Sequence, residues 1–294
     1  MVAGSRPGTP LAWVKAAGLT GRTRPVNGRF PHRYNEGDIA MRVAQNLEML
    51  DVRMEVMGVQ RVVHPTLMWD EENVVLIDTA VPGSLESIRH QAEAAGAPFA
   101  RLSHIVLTQQ DIDHISGAAN LLAGNPGVAV YAHEKDAPHI RGEKKLSRLT
   151  DAFMQRISDR PEEEQAAILR MFDNAATPVD RVLHDGDQLP FCGGITVIHT
   201  PGHTAGHICL YHHASRTLIA GDALNILHGE LVGPNEDPMA EDGVVAEDAI
   251  SALEKLTEYD IAAIITYHGG LFDAEPTKNL DEVIAHRKLY SYRR

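Results

Sequence analysis

The chain has 294 residues, 44% of them hydrophobic, and its 27 basic residues against 40 acidic ones give a formal charge of −13. That length suits one large α/β domain or two modest ones, and the charge argues against a nucleic-acid partner, which would need a basic face. No apolar run approaches the roughly 20 residues that span a bilayer, and Leu11–Leu19, broken by Lys15, makes a poor secretory segment, so a soluble cytoplasmic protein with no membrane partner is expected.

Residues 1–40 carry six basic residues against two acids and are rich in Gly and Pro, the composition of a poorly ordered arm. An Arg-rich, acid-poor leader also suits a transit peptide or a polyanion-binding arm, and Met41 is an alternative start. Without the arm, 21 basic and 38 acidic residues leave a body of charge −17, residues 41–294, expected as one domain. Cys192 and Cys209 are the only cysteines and form no Cys-x-x-Cys pair, so both are expected as buried thiols.

From Asp51 the pattern becomes regular. Val52–Val56 alternates like a half-buried strand, and Thr66–Trp69 and Asn73–Ile77 flank the acidic turn Asp70-Glu71-Glu72 as a hairpin. Asp78-Thr79 ends that strand, and Ser84–Ala95 reads as a helix with Leu85, Ile88 and Ala92 on one face. A strand over Leu102–Leu107 feeds the polar run Gln109-Gln110-Asp111-Ile112-Asp113-His114, and a helix follows over Ala118–Leu122. In an extended loop, side chains two apart point the same way, so 109, 111 and 113 converge with 114 beside them. Such a cluster wants a cation, because unpaired carboxylates in a partly buried loop repel each other; the alternative is a capped helix start, since Asp and Ser are common just before a helix.

Gly127–Tyr131 reads as another strand, and the charged run Glu134–Asp173 as helical. Pro161 opens a new helix there, with Glu162, Glu163 and Glu164 where the helix dipole favours them. This insertion, about 134–182, is expected either as a lid over the site or as a packed helical hairpin, with its Phe and Met residues in the core. Strands follow at Ile195–Ile198, Ile208–Tyr211 and Thr217–Ala220, then a helix over Ala246–Leu256, a strand over Ile261–Ile265 and a helix over Leu280–Lys288. The order predicts an α/β fold, an αββα sandwich of two mixed sheets face to face with helices outside.

Three more strand ends complete the pattern. Thr200-Pro201-Gly202-His203 presents His203 on a tight turn, Gly221-Asp222 places a carboxylate after an apolar strand, and Tyr267-His268-Gly269 places a histidine after another. Four separate strand ends thus each deliver an Asp or a His.

In these motifs and their order, with Asp78 ahead of them, residues 41–286 resemble the metallo-β-lactamase superfamily. The family motif His-x-His-x-Asp-His falls here on Gln109, Asp111, Asp113 and His114, so the chain departs from it at 109 and 111. The resemblance implies one or two divalent ions. Asp111, His203 and Asp222 would hold the first, with Gln109 a weak oxygen ligand at best, and Asp113, His114, Asp222 and His268 would hold the second. Oxygen ligands make the first site harder, favouring Mn²⁺ or Fe²⁺ relative to Zn²⁺, so metal content is expected to be sub-stoichiometric or mixed rather than two tight zincs.

The implied reaction is hydrolysis, with a hydroxide held between the ions attacking a carbonyl and Asp113 also steering or accepting a proton. His207 would support a ligand or pack its strand; His133 and Tyr211 are further candidates for the cleft. A small-molecule ester, lactone or thioester is the expected substrate, with a homodimer left open. The C-terminal Arg287, Lys288, Arg293 and Arg294 would suit a glutathione thioester or simply a solvated helix end. The alternatives are a lactam hydrolase or a degenerate member that binds metal or ligand without turnover. The di-iron branch shares oxygen-rich ligands but works with a flavin domain for which this chain has no room.

Overall fold

The computed structural model describes residues 40–56, 59–234 and 246–287. Except for Ala40, the basic arm lies outside the described residues, as do Lys288, Arg293 and Arg294.

Successive side chains of a strand face opposite ways, and here both faces are apolar. Val75, Ile77 and Val106 face Val197, Ile208, Leu210, Ile219 and Ile265 in one central core. Their neighbours Val74, Leu76, Ile105 and Leu107 pack outward against Ile88, Leu121, Phe153, Ile157, Ile168 and Phe172 of helices. On the far side Ile198, Cys209, Leu218 and Ile264 meet Ile250, Leu253, Leu280 and Val283. Four layers, αββα, follow from that double alternation. Each fully buried Val, Leu or Ile contributes about 1.5–3 kcal/mol.

The first sheet orders its strands Met41–Ala44, Leu47–Met49, Thr66–Trp69, Val74–Ile77, Leu102–Leu107, Ala129–His133 and Arg181–Leu183. Its first four strands pair antiparallel and the remainder parallel. The second orders Gln188–Leu189, Ile195–His199, Ile208–His212, Thr217–Ile219, Ala263–Thr266 and Gly270–Phe272, parallel only between Thr217–Ile219 and Ala263–Thr266. Asp70 closes the expected hairpin, accepting from the backbone N–H of Glu72 at 2.8 Å and of Asn73 at 2.6 Å.

Several boundaries differ from the sequence reading. The insertion is three helices, Ala137–Ile140, Asp151–Ile157 and Glu162–Asp173, whose Ile140, Phe153, Ile157, Ile168 and Phe172 pack into the same outer core. Thr150 caps the middle helix by accepting from Phe153 N at 3.0 Å. The last helix begins at Pro276, a residue suited to a first helical turn, and not at Leu280. Ala246–Ala252 is α-helical, but Leu253–Glu258 tightens into a 3₁₀ turn. Cys192 and Cys209 are buried free thiols, as expected.

Candidate metal centre

Strand ends on both sheets supply the polar residues: Ile77 leads to Asp78, Leu107 to residues 108–114, His199 to His203, Ile219 to Asp222 and Thr266 to His268. The 109–114 segment is not the extended loop expected. Asp111 is extended (φ −66°, ψ 145°), and its carbonyl accepts from His114 N at 2.9 Å and Ile115 N at 3.2 Å, so Ile112–Ile115 form a helical turn. Local hydrogen bonds override the period-two geometry there, and the side chains are gathered by contacts with other strand ends.

Asp78 aims His114. Its backbone is left-handed (φ 59°), and its carboxylate accepts from Thr108 N at 2.8 Å and Thr108 Oγ1 at 2.7 Å. His114 Nδ1 lies 2.9 Å from Asp78 Oδ2, which leaves Nε2 facing Asp222 Oδ2 at 3.2 Å. Thr79 ties down the same residue, its N and Oγ1 donating to the His114 carbonyl at 2.8 and 2.7 Å. The Tyr267 ring covers His114 with centroids 3.8 Å apart, and its hydroxyl donates to the Asp113 carbonyl.

Asp113, His114 and His268 each offer one ligand atom, all within 4.8 Å of one another. His268 Nε2 lies 3.3 Å from Asp113 Oδ2 and 3.5 Å from Asp222 Oδ1. Asp222 Oδ1 is buried without a hydrogen-bond partner among the described residues, as is Gln109 Oε1. Two imidazoles, a carboxylate and an orphaned carboxylate oxygen beside them fit a divalent ion such as zinc, manganese or iron.

The other half of the cluster is built differently. His203 Nε2 lies 3.0 Å from Asp111 Oδ2 and 3.2 Å from Asp222 Oδ2, and Gln109 Nε2 donates to Asp222 Oδ2 at 2.8 Å. Into this half reaches Arg148 from the insertion. Its Nε lies 2.9 and 3.2 Å from the two Asp111 oxygens, and its Nη2 lies 2.8 Å from His203 Nε2. All six residues expected as ligands from the sequence, Asp111, Asp113, His114, His203, Asp222 and His268, are thus brought together in space.

Charge balances within the cluster. Burial opposes ionisation of Asp222, yet the imidazoles of His268, His114 and His203 hold its pKa well below the carboxylate range. Burial likewise works against the Asp111 charge, and the Arg148 guanidinium, with His203, more than offsets it. For His268 burial disfavours the proton, but Asp222 and Asp113 outweigh it and raise the pKa to about 10. Ionised carboxylates held by exchangeable protons are the environment in which a metal ion competes with protons.

His207 supports the centre as well as packing its strand. It is fully buried; its Nε2 accepts from Asp222 N at 3.0 Å, and its Nδ1 lies 2.9 Å from Thr200 Oγ1. Burial, with the nearby His203 charge, pushes its pKa down to about 3, so it stays neutral and able to accept. Gly221 (φ +51°) passes so close that a Cβ there would stand 2.6 Å from His207 Nε2. His133 and Tyr211 are engaged elsewhere, His133 stacked on His199 at 4.0 Å and Tyr211 donating to the Asp260 carbonyl at 2.9 Å.

A second buried carboxylate joins the loops. Asp136 Oδ1 accepts from Gln110 Nε2 at 3.0 Å and Gly206 N at 2.8 Å, and its Oδ2 accepts from Thr204 Oγ1 at 2.6 Å. Gln110 Oε1 in turn accepts from Ser147 N at 2.8 Å, beside Arg148. Burial pushes the Asp136 pKa up to about 6 against these donors, so it is ionised at neutral pH. Sequence reasoning missed Arg148, Asp136, Gln110 and Tyr267. Only Gln110, inside the polar run, carried a local signal.

Comparison with known proteins finds relatives of the same fold. The family model described as the metallo-beta-lactamase superfamily matches residues 58–268. A probable metallo-hydrolase of Bacillus subtilis, YflN, is 28% identical over 68% of this chain and 76% of its own length. The hydroxyacylglutathione hydrolase GloC of Haemophilus influenzae is 29% identical over 54% of this chain and 65% of its own, just under two thirds. A crystal structure of a metallo-beta-lactamase family protein from Thermus thermophilus superposes with a TM-score of 0.65 at 21% identity, covering 84% of this chain and 80% of that one.

Proposed function

The chain belongs to the metallo-β-lactamase superfamily, and from that premise we propose that it is a metal-dependent hydrolase of a small ester, lactone or thioester. One observation carries the proposal: Asp113, His114 and His268 converge within 4.8 Å, beside an Asp222 oxygen without a hydrogen-bond partner among the described residues. A divalent ion bound there supplies Lewis acidity, making water nucleophilic near neutral pH and polarising a carbonyl.

The chain's own residues would do the rest. His114 is oriented by Asp78, and Asp222 by the His207 ring that accepts from its backbone N–H. Asp113, with 22% of its side chain exposed and His268 beside it, is open enough to accept a proton from attacking water. Arg148 and His203 line the other half of the cluster, held by Asp111. The relative named for hydrolysing hydroxyacylglutathione supports an acyl substrate. A body of charge −17 outside the first 40 residues supports a small molecule over a nucleic acid. No described helix is long and apolar enough to cross a membrane.

The test is to strip the protein of metal and assay lactones, aryl esters, thioesters and β-lactams with Zn²⁺, Mn²⁺ and Fe²⁺ added in turn. Turnover in one acyl class that disappears with chelator and in Asp113→Asn is the expected result. Silence across every class with metal tightly bound would favour a binding protein without turnover.

A further inference from the structure

We propose that Arg148 is the resident cation of the Asp111–His203 half of the centre, so that the protein holds one metal ion, at Asp113–His114–His268–Asp222, with a guanidinium where a second ion would sit. The inference rests on the metal-dependent reading above and goes beyond it in assigning the second charge to a side chain.

Three observations converge. Arg148 spans two of the three expected ligands of that half, Nε at 2.9 Å from Asp111 Oδ2 and Nη2 at 2.8 Å from His203 Nε2. Those are the two atoms a metal would have to take. A planar, permanently charged guanidinium suits the role, since its fixed fork matches a carboxylate and it cannot be neutralised by losing a proton.

The loop that carries Arg148 is also built to keep it there. Ser147 N donates to Gln110 Oε1, one residue from Asp111, and Gln110 Nε2 donates to the buried Asp136. Leu146 is buried in the outer core and Thr150 caps the helix that follows, so the segment is pinned on both sides of Arg148.

Asp111 is matched to this cation, and the half as a whole is a poor metal site. Position 109 gives that half an amide in place of an imidazole, a weak oxygen ligand at best, with Nε2 2.8 Å from Asp222 Oδ2 and 2.9 Å from His114 Nε2. Asp111 has its negative charge already neutralised by a guanidinium whose side chain is only 18% exposed. Bringing a divalent ion to Asp111 and His203 would set two cations against each other or expel Arg148 from its partners. By contrast, Asp113, His114 and His268 turn their ligand atoms toward one another.

The experiment is metal titration of the metal-free full chain, followed by elemental analysis and, with Mn²⁺, electron paramagnetic resonance. The wild type is expected to take up one equivalent and give the spectrum of an isolated Mn²⁺ ion. Arg148→Ala is expected to gain a second, weaker equivalent and a spin-coupled signal, while Arg148→Lys, which keeps the charge, stays at one. Two equivalents or a coupled spectrum in the wild type overturns the inference and leaves the hydrolase reading standing; this arm needs no variant. An unchanged single equivalent in a folded Arg148→Ala protein overturns it too. No metal uptake by the wild type overturns both.

Discussion

Asp136 Oδ1 accepts a hydrogen bond from Gln110 Nε2 at 3.0 Å, joining the insertion to the loop that carries Asp111, Asp113 and His114. The same carboxylate holds Thr204 and Gly206, which follow His203 in its turn. Gly206 is required by this closeness, because a Cβ there would stand 2.5 Å from Asp136 N.

Asp136→Ala strands three buried donors, so it is expected to lower unfolding free energy by about 3 kcal/mol, and Asp136→Asn by about half of that. Urea denaturation with unchanged m-value measures this. A loss below about 0.5 kcal/mol in the alanine variant would show that the loops are held by other means.

Asp78 acts on metal through His114. With its carboxylate 2.9 Å from His114 Nδ1, it fixes which ring nitrogen faces the centre. Asp78→Asn is expected to weaken metal binding about 10–100-fold with the fold retained, read by competition with a chromogenic chelator. Unaltered affinity would mean that the Tyr267 ring and Thr79 orient the imidazole unaided.

The strand ends are visible in the sequence and their connections are hidden. His203, Asp222 and His268 each follow an apolar run and adjoin Gly or Pro, a pattern that marks a strand running into a tight turn. Arg148 looks like any solvated residue of a charged stretch. Its place depends on Ser147 meeting Gln110, residues 37 apart, which no local period encodes. Strands such as Leu47–Met49 and Gly270–Phe272 are three residues long, too short for alternation to register. The 109–114 loop is legible both as a ligand cluster and as a helix start at Asp111, although no side chain caps the turn. The turn is closed by the Asp111 carbonyl, a backbone acceptor that every residue type possesses.

His133 makes stability fall on the acid side. Burial, then the facing His199 ring at 4.0 Å, lowers its pKa from 6.5 to about 4. Below pH 6.5 the unfolded chain binds a proton that the native state refuses, so stability is full above 6.5 and is lost as pH falls toward 4. Replacing it by Gln is expected to remove on the order of 2 kcal/mol of that loss, measured as ΔG of unfolding on either side of that window, near neutrality and close to the folded-state pKa. Parallel curves for the two proteins would assign the acid limb to other groups.

Anomalous diffraction at the metal edge, from crystals of the full chain grown with Mn²⁺ or Zn²⁺, tests the metal centre most directly. A peak bounded by Asp113, His114, His268 and Asp222 is the expected result. Density that avoids those four side chains, or no peak in crystals of protein that binds metal in solution, would contradict the proposed centre and the hydrolytic function built on it.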